Sequence, residues 1–213
     1  MKEKIFILGD SISIHYGPYL KSMLGSSFLY DRKGAKKEND ISFDSYEING
    51  GDSRNIVEFL LHEKEEGNLT YENIIINCGL HDIKTDSITS KINVPIEEYE
   101  QNLITAFKML KEAQVSILWI NSTPVEDTRH NSLNKEFFRY NQDLITYNNR
   151  AEVIASSFNI PIIDLYAFTT GLNLEKYYDH IHFVEEVRML QASFIAGHIF
   201  MSKQLKKFQK LKW

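Results

Sequence analysis

The stretch Lys4-Ile5-Phe6-Ile7-Leu8-Gly9-Asp10-Ser11-Ile12-Ser13 opens the chain with a short apolar run that stops at Gly-Asp-Ser. Such a run, rich in β-branched and aromatic residues and cut off by turn chemistry, predicts a buried β-strand. Similar runs recur at Ser45–Ile48, Asn73–Cys78, Ser116–Asn121 and Ile160–Asp164. Between most of them lie segments with apolar residues at helical spacing: Tyr16–Leu24, Ser53–Glu65, Ile96–Ala113, Phe137–Phe158 and Val184–Phe208. Strand–helix alternation predicts a parallel sheet covered by helices on both faces. The expected fold is a three-layer α/β/α sandwich, flavodoxin-like, with a five-stranded parallel sheet and a single domain over residues 1–213.

In such sheets ligands bind beyond the carboxyl ends of the strands. Ser11 follows the first predicted strand, Gly51 the second and His81 the third, so all three are expected at one edge. Near the C-terminus comes Asp179-His180-Ile181-His182. With Ser11 this supplies a hydroxyl, an imidazole and a carboxylate, the three groups that make a serine nucleophilic at neutral pH.

Composition narrows the classes. The 213 residues include 43% hydrophobic and 25% charged, which suits a domain with a full core. The formal net charge is −5 and basic residues are not massed, so nucleic acid is not an expected partner. Lys203–Lys212 is locally basic and reads as the solvated end of a helix. One cysteine, Cys78, rules out an internal disulfide and reads as a small buried hydrophobe. No apolar run approaches a membrane span. The first residues do not read as a signal peptide, so a cytoplasmic location is expected.

Two segments break the alternation. Phe28–Asp44, with Arg32, Lys33, Lys36 and Lys37, reads as an exposed loop. The polar run Glu126–Glu136 reads as a solvated loop that could border the site as a lid.

The motifs resemble those of the SGNH hydrolase superfamily, the GDSL esterases, which has four sequence blocks contributing Ser, Gly, Asn and His. Gly9-Asp10-Ser11 matches the first block, Asn49-Gly50-Gly51 the second, Gly79-Leu80-His81-Asp82 the third and Asp179-His180-Ile181-His182 the last. The third block departs from the pattern, with His81 where the family usually has Asn. A neutral imidazole also has one N–H to donate, so His81 is expected to substitute for that amide. The resemblance implies a serine esterase with Ser11 as nucleophile, His182 as base and Asp179 as its orienting carboxylate. It implies an oxyanion hole from the N–H groups of Ser11 and Gly51 with the His81 side chain, and no metal or cofactor. The implied substrate is a small acyl ester, an O-acetylated carbohydrate being favoured. Lipase or thioesterase action, acyl transfer to a sugar, or binding without turnover are the alternatives.

Each residue also has a plainer reading. Ser11 could cap the following helix. Asp10 could organise its own loop, and Asp52 or Ser53 could start the next helix. His180 and His182 alternate as two metal ligands on a strand might, but strict alternation would turn His180 away from the site if His182 faces it. His15, His62, His130 and His198 read as surface or packing residues, and Tyr16, Tyr19, Tyr177 and Tyr178 as core or rim.

Overall fold

The structure is a computed structural model that describes residues 2–34, 45 and 47–210, with side chains described to residue 203. In chain order the elements are β1 (Glu3–Leu8), α1 (Ser11–Leu24), a 3-10 turn (Gly25–Ser27), β2 (Phe28–Arg32), α2 (Ser53–Glu65), β3 (Asn73–Ile76), β4 (Thr85–Asp86), α3 (Ile96–Glu112), β5 (Ser116–Ile120), α4 (Asp127–Leu133), β6 (Phe137–Phe138), α5 (Asn141–Ser157), β7 (Ile162–Ile163), α6 (Leu165–Thr170) and α7 (Glu185–Lys210). The main sheet has the order β2-β1-β3-β5-β7, every pairing parallel. That is the flavodoxin-like order, with the chain reversing its direction of travel across the sheet after β2. A separate two-stranded ribbon pairs β4 with β6 antiparallel.

The interior strands explain themselves. Leu8 on β1, Ile74 and Ile76 on β3 and Trp119 on β5 are fully buried, as strands covered on both faces must be. α1 packs on α7 and α7 on α6, while α2, α3 and α5 pack in series as a second group. Phe107 of α3 meets the Trp119 ring edge-on, with centroids 5.7 Å apart. Cys78 is buried just beyond β3, and burial holds its thiol well above the usual range.

The second strand differs from the sequence expectation. It is Phe28–Arg32, inside the segment read as a loop, and it forms one edge of the sheet. Phe28 and Arg32 are buried while Leu29 and Asp31 are exposed, the alternation of a strand with one covered face. Ser45 and residues 47–48 form no strand. Tyr46, the rest of that expected strand, and residues 35–44 of the expected loop lie outside the described residues. The expected helix Phe137–Phe158 is divided: Phe137–Phe138 pairs with β4, and the helix starts at Asn141. Glu126–Glu136 is helical from Asp127 to Leu133. The last strand keeps two residues of the five expected.

Gly51 therefore does not follow a neighbouring strand directly. It reaches the sheet edge because Gly50 lies against the backbone of Gly9. Its N–H donates to the Gly9 carbonyl at 2.8 Å, and a Cβ on Gly50 would sit 2.8 Å from that same carbonyl. Only glycine allows this approach, and it docks the Gly51 turn beside the turn that carries Ser11.

Candidate active site

β1 ends at Leu8, and Asp10 turns the chain into α1. The Asp10 carboxylate accepts from the Ile12 N–H at 3.0 Å and caps the helix. Because Asp10 supplies the cap, Ser11 is left as the first helical residue with its hydroxyl aimed elsewhere. Its Oγ lies 2.8 Å from His182 Nε2. The positive end of the α1 dipole lies at the same point and favours negative charge there.

His182 is set by a short loop. Asp179 accepts two backbone N–H bonds on one oxygen, from Ile181 at 2.8 Å and His182 at 2.7 Å, and its second oxygen meets His182 Nδ1 at 2.7 Å. The pairing places the imidazole proton on Nδ1 and leaves Nε2 as the acceptor for the Ser11 hydroxyl. Burial alone would raise the Asp179 carboxyl, but the two N–H bonds and the imidazole outweigh it and hold the carboxyl at about 2. The loop is pinned from outside by Arg129 of α4, whose Nε donates to the Asp179 carbonyl at 2.7 Å and whose guanidinium also reaches the Tyr177 carbonyl at 3.2 Å.

The other groups come from two more loops. Gly51 has φ +68°, and a Cβ there would run into the Asn55 side chain. Its N–H donates to Asn49 Oδ1 at 2.8 Å. Asp52 caps α2 in a capping box with Asn55, which settles the choice between Asp52 and Ser53. His81 lies in the turn after β3. Burial, with Lys84 and Arg139 nearby, depresses its imidazole well below the usual histidine range, so it stays neutral at pH 7. Arg139 is itself buried. It donates to the Leu80 carbonyl at 2.6 Å and to His130 Nε2 at 2.8 Å, while His130 Nδ1 meets Asn131 Oδ1 at 3.0 Å.

Ser11, Gly51, His81 and His182 open into one cavity of about 370 Å³, whose far wall is formed by Glu136, Phe137 and Arg139. The segment Glu126–Glu136 thus does border the site. A second cavity, of about 280 Å³, lies at the opposite end of the sheet among Glu3, Asn73 and Ser116, and none of the expected site residues lines it.

His180 departs from the expectation, and His15 packs within the site. His180 lines the same cavity as His182. Residues 178–181 form a bend instead of a strand, so strict alternation does not apply. His15 packs its ring on His182, centroids 4.5 Å apart, and burial first, then the His182 charge, lowers it to about 4. The signal was available: Ser11 and His15 stand at i and i+4 on α1 and so share a face. No such signal marks Arg129 or Arg139, whereas Asn49 stands in the Asn49-Gly50-Gly51 motif. Among the described residues, no group of three or more His, Cys, Asp or Glu is placed to hold a metal ion. Tyr16 and Tyr177 are buried and Tyr178 is exposed at the rim.

The family model of the GDSL-like lipase/acylhydrolases matches residues 5–193. The chain belongs to this family. It is a carboxylic ester hydrolase by that membership, and its substrate is a small-molecule ester. No protein of curated function matches it in sequence. Among solved structures, a lipase/acylhydrolase from Enterococcus faecalis superposes with a TM-score of 0.67 at 16% identity, covering 92% of this chain and 95% of that one. A GDSL-like lipase from Bacteroides thetaiotaomicron gives 0.66 at 15% identity, covering 94% and 89%. An acetylxylan esterase from Geobacillus stearothermophilus gives 0.63 at 18%, covering 91% and 92%. At these identities the likeness carries the fold. Among the described residues no helix is long and apolar enough to cross a membrane.

Proposed function

We propose that the chain is a serine esterase that removes short acyl groups, acetyl foremost, from a polar alcohol such as a carbohydrate, acting as a single cytoplasmic domain without metal or cofactor. The observation that carries the reading is the hydrogen-bonded series Ser11 Oγ, His182 Nε2, His182 Nδ1, Asp179 Oδ2 at 2.8 and 2.7 Å. Ser11 attacks the ester carbonyl as His182 takes its proton. His182 then gives that proton to the leaving alkoxide, and Asp179 stabilises the imidazolium in between. Water, deprotonated by His182, releases the acyl group from Ser11 and regenerates the enzyme.

The tetrahedral oxyanion is held by the Ser11 N–H, which has no acceptor inside its helix, by the Gly51 N–H and by the His81 ring. The Gly51 N–H is engaged by Asn49 in the free protein, so it is shared with the oxyanion or re-aimed when substrate binds. His81 acts as a neutral donor, in the place the family usually gives to Asn, because its surroundings disfavour a second proton.

Substrate size and polarity follow from the cavity. Among the described residues its lining has Phe137 and Ile181 as its large apolar side chains, beside several amides and charged groups. That lining suits a hydroxylated alcohol and leaves little apolar surface for a long acyl chain. Acetylxylan esterases among the structural neighbours agree with this reading. The test is hydrolysis of 4-nitrophenyl esters from acetate to octanoate, beside acetylated xylo-oligosaccharides, by wild type and Ser11→Ala. The reading expects turnover that falls with chain length and is lost in Ser11→Ala. Equal turnover by Ser11→Ala would remove it.

A further inference from the structure

The loops that carry Gly51 and His81 are distant in sequence, and neither residue lies in a strand. A side chain outside every motif ties them. Asn93, between β4 and α3, donates from its amide nitrogen to Asp52 Oδ2 at 2.9 Å and to the His81 carbonyl at 3.0 Å. Asp52 directly follows Gly51, and its other carboxylate oxygen accepts the Arg54 and Asn55 N–H groups at the start of α2. One carboxamide nitrogen therefore bridges the turn of one oxyanion donor to the backbone of the other.

Asn93 is itself held firmly. Its N–H donates to the Lys84 carbonyl at 2.7 Å. Its own carbonyl accepts from Arg54 Nη2 at 3.0 Å, and Arg54 is clamped by both oxygens of Glu98 at 2.5 and 2.8 Å. The next residue, Val94, donates its N–H to the Asp82 carbonyl at 3.0 Å. A post fixed on three sides can transmit position. Asn93 is also exposed, so its amide could be satisfied by water, and stability alone does not call for this pair of bonds. A second, buried link joins the same loops where the Ser53 N–H donates to Asp82 Oδ1 at 2.9 Å.

We infer that Asn93 is a positioning residue for the oxyanion hole: it sets the separation between the Gly51 N–H and the His81 ring. This rests on the esterase reading. Preorganised donors stabilise an oxyanion only when they are held within a fraction of an ångström of its place. The role demands two N–H groups on one nitrogen. Serine supplies one O–H, alanine none, and aspartate would set a carboxylate against that of Asp52.

The experiment compares wild type with Asn93→Ala, Asn93→Ser and Asn93→Asp. It reads kcat and KM on 4-nitrophenyl acetate, the Ki of a trifluoromethyl ketone that forms a tetrahedral adduct with the serine, and the melting temperature. For Asn93→Ala the expected loss in kcat is about tenfold, below the ~10²–10³ of removing a donor outright because the Ser53–Asp82 link remains. KM should stay within about twofold and the ketone should weaken by the same factor as kcat, as loss of an interaction made only in the transition state requires. Asn93→Ser should fall between, and Asn93→Asp should lose most. Unchanged kcat in folded Asn93→Ala, or a fall in kcat with ketone affinity kept, overturns the inference. So does unfolding of both Asn93→Ala and Asn93→Ser, which would make the role structural. A wild type that neither turns over esters nor binds the ketone removes the esterase reading and this inference together. An active wild type with variants like it removes this inference alone.

Discussion

On the nucleophile side of the cavity, the bonds that aim the groups are mostly local. Asp10 caps Ile12, and Asp179 binds Ile181, His182 and the His182 ring, all within three residues. Long-range contacts of His182 with the Ser11 hydroxyl and with the His15 ring then join the two pieces. On the oxyanion side local bonds, Gly51 to Asn49 and Asp52 to Arg54 and Asn55, shape one turn. The bonds that bring the turns together cross between loops: Gly50 to Gly9, Ser53 to Asp82, Asn93 to Asp52 and to His81. The first side depends on residue types at fixed spacing. The second depends on how separate loops dock, and on the proposed reading His81 can be exchanged for Asn if that docking is kept.

The two sides also bind protons with opposite preference. Asp179 is held at about 2 by hydrogen bonds to its charged form. Asp82, on the oxyanion side, is fully buried, and burial raises it to about 7 in spite of its bonds from Ser53.

The largest contrast should come from Asp179→Asn. It leaves the shape but removes the acceptor that fixes the His182 tautomer, and kcat on 4-nitrophenyl acetate should fall by roughly 10⁴. A loss of only a few-fold would mean that Asp179 does not orient the base. At position 81 the identity of the donor should matter less than its presence. His81→Ala should lower kcat by ~10²–10³, whereas His81→Asn should stay within about tenfold of wild type. The pH–rate profile of His81→Asn should match that of wild type, because His81 does not titrate near neutrality. A drop beyond about 10²-fold in His81→Asn would show a role for the imidazole that an amide cannot fill. Arg129→Ala, which frees the Asp179 and Tyr177 carbonyls, should cost about tenfold in kcat through a looser triad loop. A variant equal to wild type would show that the local bonds of Asp179 suffice.

The smallest effect is on stability. The folded protein keeps a proton on Asp82 that the unfolded chain releases from about pH 4 upward. Stability from this group is therefore present below about pH 4 and lost as pH rises to about 7. For Asp179 the sign reverses, with stability present above about pH 4 and lost as pH falls through about 2. His15 and His81, held below the usual histidine range, contribute with the opposite sign over the same span, so the test is a difference. The melting temperature of Asp82→Asn should rise relative to that of wild type from pH 5 to pH 7.5. The same slope in both proteins would exclude this contribution of Asp82.

What the sequence revealed follows this division. After their first one or two residues, β1, β3 and β5 are continuous apolar runs, because as interior strands they are covered on both faces, and such a run is easy to see. β2 is an edge strand with Asp31 and Arg32 in it, and it precedes a charged segment, so it reads as loop. Ile48, fully buried in a turn, made Ser45–Ile48 look like a strand instead. The Ser, His and Asp positions were legible because their spacing encodes local bonds. His15 was legible in principle from its place one turn after Ser11. Asn93 and Arg129 were not, since a residue that acts by bridging loops has no pattern until the loops are docked.

The most direct test of Ser11 as an activated nucleophile is intact-mass and peptide analysis after exposure to diisopropyl fluorophosphate. The account predicts one adduct per chain, on Ser11, absent in Ser11→Ala and formed far more slowly in His182→Ala. A folded wild type left unmodified, or an adduct on another residue at the wild-type rate in Ser11→Ala, would contradict it.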